Sequence, residues 1–192
     1  PPPFTTSSLQ QNASSKCGIS PKNCMMIAQK LYEAGKITYM RTDSLALSEE
    51  ALEMIKEHVI EKYGKKYYEK HIYKAKTKGS QEAHEAIRPV YPNLSNLGSG
   101  FNQYEKKLYN LIYKRAIASQ MKPAKKEVYT IDIMMNNRDD IIRCVIEKII
   151  FLGYLKLYGV ELSKKDKILE EELKEGDILK YNDIIATQKY TK

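Results

Sequence analysis

The chain has 192 residues, of which 42% are hydrophobic and 29% charged, with 32 Lys and Arg against 24 Asp and Glu. That composition, with its net charge of +8, excludes collagen-like and wholly disordered chains and leaves length for one or two globular domains. No uncharged apolar run approaches the roughly 20 residues that span a bilayer, so no membrane partner is expected. The opening Pro1-Pro2-Pro3-Phe4 has neither an initiator Met nor a signal pattern, and it reads as a cut inside a longer polypeptide.

In chain order, Ser7 or Ser8 is predicted to cap a short helix, Leu9 to Lys16, closed by Gly18. Ser20-Pro21 sets a cap and a first-turn proline for a helix of Pro21 to Ala34, stopped by Gly35, with Met25, Ile27, Ala28, Leu31 and Tyr32 as its apolar stripe. Ile37-Thr38-Tyr39 is β-branched and aromatic, an extended segment ending in a turn. Ser48 caps a helix of Glu49 to Tyr63, which buries Leu52, Ile55, Val59 and Ile60 and ends at Gly64. Asn102 and Glu105 have capping-box spacing for the longest helix, which ends near Met121 before Pro123. Beyond Pro123 the period becomes two: Val128 to Met135 alternate, Asn136-Asn137 is a turn, and further β-prone runs are Ile141–Ile146, Ile149–Leu157 and Ile178–Tyr190. The predicted fold class is α+β, with a mainly helical domain over 1–125 and a partial β-rich domain over 126–192.

Charge follows the same division. Residues 1–125 carry 20 Lys and Arg against 11 acids, while residues 126–192 carry 12 against 13. A one-sided basic excess suits a polyanion. The densest run, Lys62 to Lys78, holds seven lysines and one acid, Glu69, with Tyr63, Tyr67, Tyr68 and Tyr73 interleaved. Lysines such as Lys65, Lys66 and Lys70 can neutralise phosphates while rings stack on unpaired bases. The bland alternative is a solvated lysine face. Cys17, Cys24 and Cys144 form no Cys-x-x-Cys pair, so neither a disulfide framework nor a structural zinc site is expected, and Cys17 and Cys24 read as small buried side chains. There is no phosphate loop, no Gly-x-Gly-x-x-Gly, no His-Glu-x-x-His and no Asp-x-Asp-x-Glu, which argues against nucleotide hydrolysis, dinucleotide binding and an internal divalent-metal site. His58 and His71 are expected at the surface.

Two blocks stand out: Gly35-Lys36-Ile37-Thr38-Tyr39-Met40-Arg41-Thr42-Asp43-Ser44, and Gly79-Ser80-Gln81-Glu82-Ala83-His84-Glu85-Ala86-Ile87-Arg88-Pro89. Together they resemble the type IA DNA topoisomerases. The opening Pro2-Pro3-Phe4-Thr5-Thr6-Ser7, Leu9-Gln10-Gln11, the stretch Ala28 to Glu33 and Ala118-Ser119-Gln120-Met121 resemble that family as well. Met40 and Asp43-Ser44 fit the bacterial topoisomerase I subgroup, since the topoisomerase III branch usually has proline and glutamate there.

The resemblance implies that Tyr39 attacks a DNA phosphodiester and stores its bond energy in a phosphotyrosine, so that resealing needs no ATP. It implies that Arg41, on the same face as Tyr39 if the segment is extended, holds the phosphate and offsets transition-state charge. His84 is implied to contact DNA near the cut as a hydrogen-bond donor or proton carrier, with Glu82 and Glu85 flanking it. Arg88 is placed among the DNA-binding residues with Arg41, His84, Lys65, Lys66 and Lys70, and Thr42 and Asp43 are expected to fix the turn. The family's Mg2+ is held by a Toprim domain, and a strand-gate domain completes the enzyme. Neither pattern occurs in this sequence, so the chain is expected to be the middle of the enzyme, inactive alone, with no metal site of its own. Its 126–192 segment is expected to be part of a β-rich arch. The expected partner is single-stranded or underwound DNA, and the expected location is cytoplasmic, on the nucleoid, if the source is bacterial. Two other readings stay open: a noncatalytic single-stranded nucleic-acid-binding module built on the lysine-tyrosine run, and a small interaction protein with an incidental basic face.

Overall fold

The computed structural model describes residues 1–73, 84–135, 141–162 and 175–178. Thr5, rather than Ser7 or Ser8, caps the first helix, α1 (Thr6–Cys17). Four hydroxyl residues stand in a row here, and Thr5 is favoured because Ser8, three residues on, returns the bond: Thr5 N–H donates to the Ser8 hydroxyl at 2.9 Å while Ser8 N–H donates to Thr5 Oγ1. Gly18, at φ 66°, closes the helix in the left-handed conformation. Ser20 caps α2 (Pro21–Glu33), Ser48 caps α3 (Glu49–Tyr63), and Asn102 with Glu105 forms the capping box of α4 (Gln103–Ser119).

Each helix gives an apolar stripe to one core. Leu9 and Ala13 of α1, Cys24, Ala28 and Leu31 of α2, Ile55 and Val59 of α3, and Leu108, Ile112 and Ile117 of α4 are all buried. Each large apolar side chain removed from water contributes about 1.5–3 kcal/mol. The core also takes Phe4, Ile37, Met40 and Ile87, which belong to none of the helices and tie the irregular segments to the bundle. Cys24 is buried, as expected, and burial pushes its thiol up to about 11. His58, expected at the surface, is only 8% exposed. Its place one turn from Ile55 and beside Val59 turns it inward, where its Nε2 is 2.7 Å from the Tyr113 hydroxyl. His71 is half-buried beside Glu69.

Past Pro123 the alternating sequence forms an antiparallel hairpin, β1 (Lys125–Met134) with β2 (Ile141–Phe151), in the register Tyr129 opposite Ile146 and Asp132 opposite Arg143. The expected turn at Asn136-Asn137 lies outside the described residues, as does nearly all of the Ile178–Tyr190 run. The run expected as a strand from Ile149 to Leu157 ends instead at Phe151 and becomes a 3-10 helix, Gly153–Tyr158. Gly153 at φ 50° breaks the extended backbone, and Leu152 and Leu157 turn into the core. The hairpin base is held by the Tyr67 ring stacked on Phe151 at 5.0 Å, and by Tyr154 N–H donating to the Lys122 carbonyl. The change from helix to strand therefore falls at Lys125, while the compact unit continues to Glu161; the second unit is Leu162–Lys192, in which Glu175 and Gly176 form a turn. The architecture is α+β. No helix among the described residues is long and apolar enough to cross a membrane.

Candidate active site around Tyr39

Three stretches far apart in sequence meet beside α1. Thr38 N–H donates to the Arg88 carbonyl at 2.9 Å, and Val90 N–H to the Lys36 carbonyl at 3.0 Å, so residues 36–38 run antiparallel to 88–90. The Thr38 hydroxyl adds a rung of its own, donating to the Ala86 carbonyl and accepting from Arg88 N–H. On the other side, Ile87 N–H donates to the Phe4 carbonyl. These few rungs hold the expected extended segment, which then leads into Tyr39.

From Tyr39 to Ser44 burial alternates. Tyr39, Arg41 and Asp43 are exposed, while Met40, Thr42 and Ser44 are buried. Period-two alternation places Tyr39 and Arg41 on one face, that of solvent. Tyr39 is 40% exposed, and its ring meets the Tyr32 ring of α2 edge-on, with centroids 5.2 Å apart. The turn expected after Tyr39 does not form, since the chain runs on without one through Ser44; Thr42 instead braces that stretch locally, its hydroxyl accepting from Ser44 N–H at 3.0 Å.

Next to this face is an open cleft of about 410 Å³, walled by Thr6, Ser7 and Gln10 of α1, by Arg41, Thr42 and Asp43, and by His84. Arg41 supplies a guanidinium, His84 an imidazole and Ser7 a hydroxyl, all at the positive end of the α1 dipole, a set suited to an anion such as phosphate. Tyr39 is not among the cleft's walls; it stands two residues from Arg41 on the same exposed face.

A family model described as DNA topoisomerase matches residues 1–192. The chain is 47% identical over 173 residues to a prokaryotic-type DNA topoisomerase 1 of Acanthamoeba polyphaga mimivirus, covering 86% of this chain and 20% of that protein. It is 44% identical over 205 residues to DNA topoisomerase 1 of Campylobacter jejuni, covering 100% of this chain and 28% of the relative. Full-length topoisomerase I from Thermotoga maritima superposes with a TM-score of 0.72 at 38% identity, over 84% of this chain and 27% of that one. This chain belongs to the type IA DNA topoisomerases. It lies with the bacterial topoisomerase I group, and it spans between a fifth and somewhat over a quarter of these relatives.

Within this topoisomerase segment the remaining site residues separate by surroundings. Arg88 is 8% exposed and turned away from the cleft: its Nη2 and Nε lie 2.7 and 3.3 Å from the Glu85 carboxylate, and Nη1 donates to the Pro89 carbonyl. Glu85 also accepts from Ser48 N–H at 2.6 Å, so it joins the His84 loop to the start of α3 rather than facing His84. Burial alone would raise the Glu85 carboxyl, but the Arg88 and Ser48 hydrogen bonds outweigh it and hold the group below its ordinary value. Glu82 lies outside the described residues.

Lys65 and Lys66 are exposed on the 3-10 turn Lys65–Tyr67, whereas Lys70 is paired with Glu49 at 2.8 Å. The rings of this run are partly engaged elsewhere, since Tyr67 is buried and the Tyr73 hydroxyl donates to the Ser119 carbonyl. Sequence reasoning missed the share of Thr6, Ser7 and Gln10 in this topoisomerase cleft. The signal was available in the opening motif, but nothing in a Thr-Thr-Ser-Ser run says which hydroxyl faces where.

Proposed function

We propose that Tyr39 is the nucleophile of DNA strand cleavage, and that the longer protein carrying this chain relaxes negatively supercoiled DNA by cutting one strand, passing the other and resealing. The observation that carries this reading is the alternation from Tyr39 to Ser44. It exposes a phenol and, two residues on, the guanidinium that walls an anion-suited cleft shared with His84. In the proposed step the Tyr39 oxygen bonds to phosphorus as the P–O3′ bond breaks. The phenol proton leaves, the departing 3′ oxygen takes up a proton, and the 5′ phosphate stays on the tyrosine. Arg41 offers a planar pair of donors to the phosphate oxygens as their charge rises. His84 is a hydrogen-bond donor or proton carrier at the same group. Religation reverses the exchange with no outside energy source, so ATP has no part.

Among the described residues no three His, Cys, Asp or Glu side chains converge on a point where a metal ion would sit. The resemblance to the family puts its Mg2+ in a Toprim domain of the longer protein, and no step here is routed through it. Arg88, locked to Glu85, supports the His84 loop in this reading, and Lys65 and Lys66 are the better-placed lysines for a passing strand.

The test is Tyr39→Phe in the longer protein. The change removes one oxygen from an exposed ring, so single-stranded DNA should bind within about twofold of wild type while the covalent adduct and relaxation vanish. Recovery of a protein–DNA adduct from the Phe variant would sink the assignment.

A further inference from the structure

We infer that Thr6 is a positioning residue for Arg41, an inference that rests on the proposed cleavage reading. Its hydroxyl bonds to both peptide groups that flank Arg41. It donates to the Met40 carbonyl at 2.8 Å, with the Thr42 carbonyl at 3.1 Å, and accepts from Thr42 N–H at 2.9 Å. The Thr6 N–H, one of the helix-start donors that lack a partner within the helix, goes to the Thr42 carbonyl at 2.9 Å. One side chain on the first turn of α1 therefore splints the backbone on both sides of a residue 35 positions away in sequence.

The neighbouring hydroxyls do not share this task. Thr5 is committed to the cap of α1 with Ser8, and Ser7 is exposed. The Thr6 hydroxyl has one proton to donate, and the flanking peptides take up its bonding, so it acts through Arg41 rather than on the DNA. The Arg41 guanidinium has no ion-pair or hydrogen-bond partner among the described residues. Its direction into the cleft is set by its backbone, with Met40 and Thr42 buried on either side. A long side chain anchored only at its root loses aim when the root moves, and misplacement by about 1 Å is enough to slow a reaction roughly a hundredfold.

The experiment uses the longer protein and a 5′-labelled single-stranded oligonucleotide, reading the rate of covalent adduct at saturating DNA and, separately, the binding constant. Thr6→Val keeps the β-branched shape and removes the hydroxyl. The adduct rate should fall at least about tenfold with binding within about twofold. Thr6→Ser, which restores the hydroxyl, should return to within about threefold of wild type. In an Arg41→Ala background, Thr6→Val should cost less than a further twofold, because the residue it positions is gone. Wild-type cleavage by Thr6→Val, failure of the Ser variant to recover, or a full tenfold loss persisting without Arg41 would each overturn the role of Thr6. If thermal melting shows Thr6→Val unfolded, Thr6→Ala replaces it with the same expectations. A wild-type protein that forms no adduct overturns the cleavage reading itself, whereas an active wild type with an equally active Val variant overturns only this inference.

Discussion

His58 and Glu85 set opposite ends of one pH profile. Burial, aided by the positive field of Lys62, lowers the His58 pKa from its ordinary 6.5, with Glu61 opposing. The fold therefore favours the neutral ring, the unfolded chain takes up the proton first, and stability falls as pH drops below about 6.5, by at most about 1.4 kcal/mol per pH unit. Glu85 is held below its ordinary 4.5; its contribution is present above that value and is lost as pH falls through the folded pKa. Thermal melting from pH 7.5 to 3.5 should show the first decline removed in His58→Gln and the second removed in Glu85→Gln, and an unchanged profile in either variant would refute that assignment. Neither environment was legible beforehand. The alternation that exposes Tyr39 and Arg41 could be read from six residues, because an extended backbone has only two faces. A lone histidine on a helix has no such local rule, because the His58 ring meets Tyr113, 55 positions further on. Arg88 meets Glu85 only three residues back, but the bond that ties that pair into the fold comes from Ser48 N–H, 37 positions away from Glu85.

The helices were legible to within about a residue at most ends because caps and stops are local chemistry. Ser20-Pro21, Ser48 and the Asn102–Glu105 pair each act within one turn. The hairpin was legible through its period, and the end of β2 was not, because the decisive contact is tertiary. At Gly153 a Cβ would collide with the Lys122 and Pro123 carbonyl groups, on a backbone already at φ 50°. Gly153→Ala should therefore cost at least about 2 kcal/mol, read as a shift in the urea midpoint. Gly159 has φ 82° but open space around it, so Gly159→Ala should cost only about 1 kcal/mol. Equal losses at the two positions would mean that the collision is relieved cheaply. The bridges that build the site, Phe4 with Ile87 and Ile37 with Pro89, are single rungs, too short to leave any periodic trace in the sequence.

At the scale of the whole molecule the basic excess of residues 1–125 is a long-range field, and the structure divides the lysines within it. Lys65 and Lys66 are exposed, while Lys70 is neutralised by Glu49. On the proposed reading, replacing Lys65 and Lys66 by Ala should lower the salt dependence of single-stranded DNA binding by about 1.4 in log–log slope, at about 0.7 per phosphate contact. Lys70→Ala should change it less. Titrations at several salt concentrations decide this, and an unchanged slope in the double variant would return the run to a solvated face.

The hydrogen bonds between the segments that assemble the Tyr39 region join residues 34 to 83 positions apart, and that spacing has a kinetic meaning. Every one of them requires closing a long loop before it returns any enthalpy, so the region belongs to the slow, non-local part of folding. The helices can form early from their own caps, but the Tyr39 phenol and Arg41 acquire their mutual placement only after the Arg88–Val90 stretch has been synthesised and docked. A growing chain on the ribosome thus carries Tyr39 for about fifty residues of further synthesis before the stretch that places it exists. Hydrogen exchange should report this as one cooperative opening, with the amides of Thr38, Thr42, Ile87 and Val90 losing protection together.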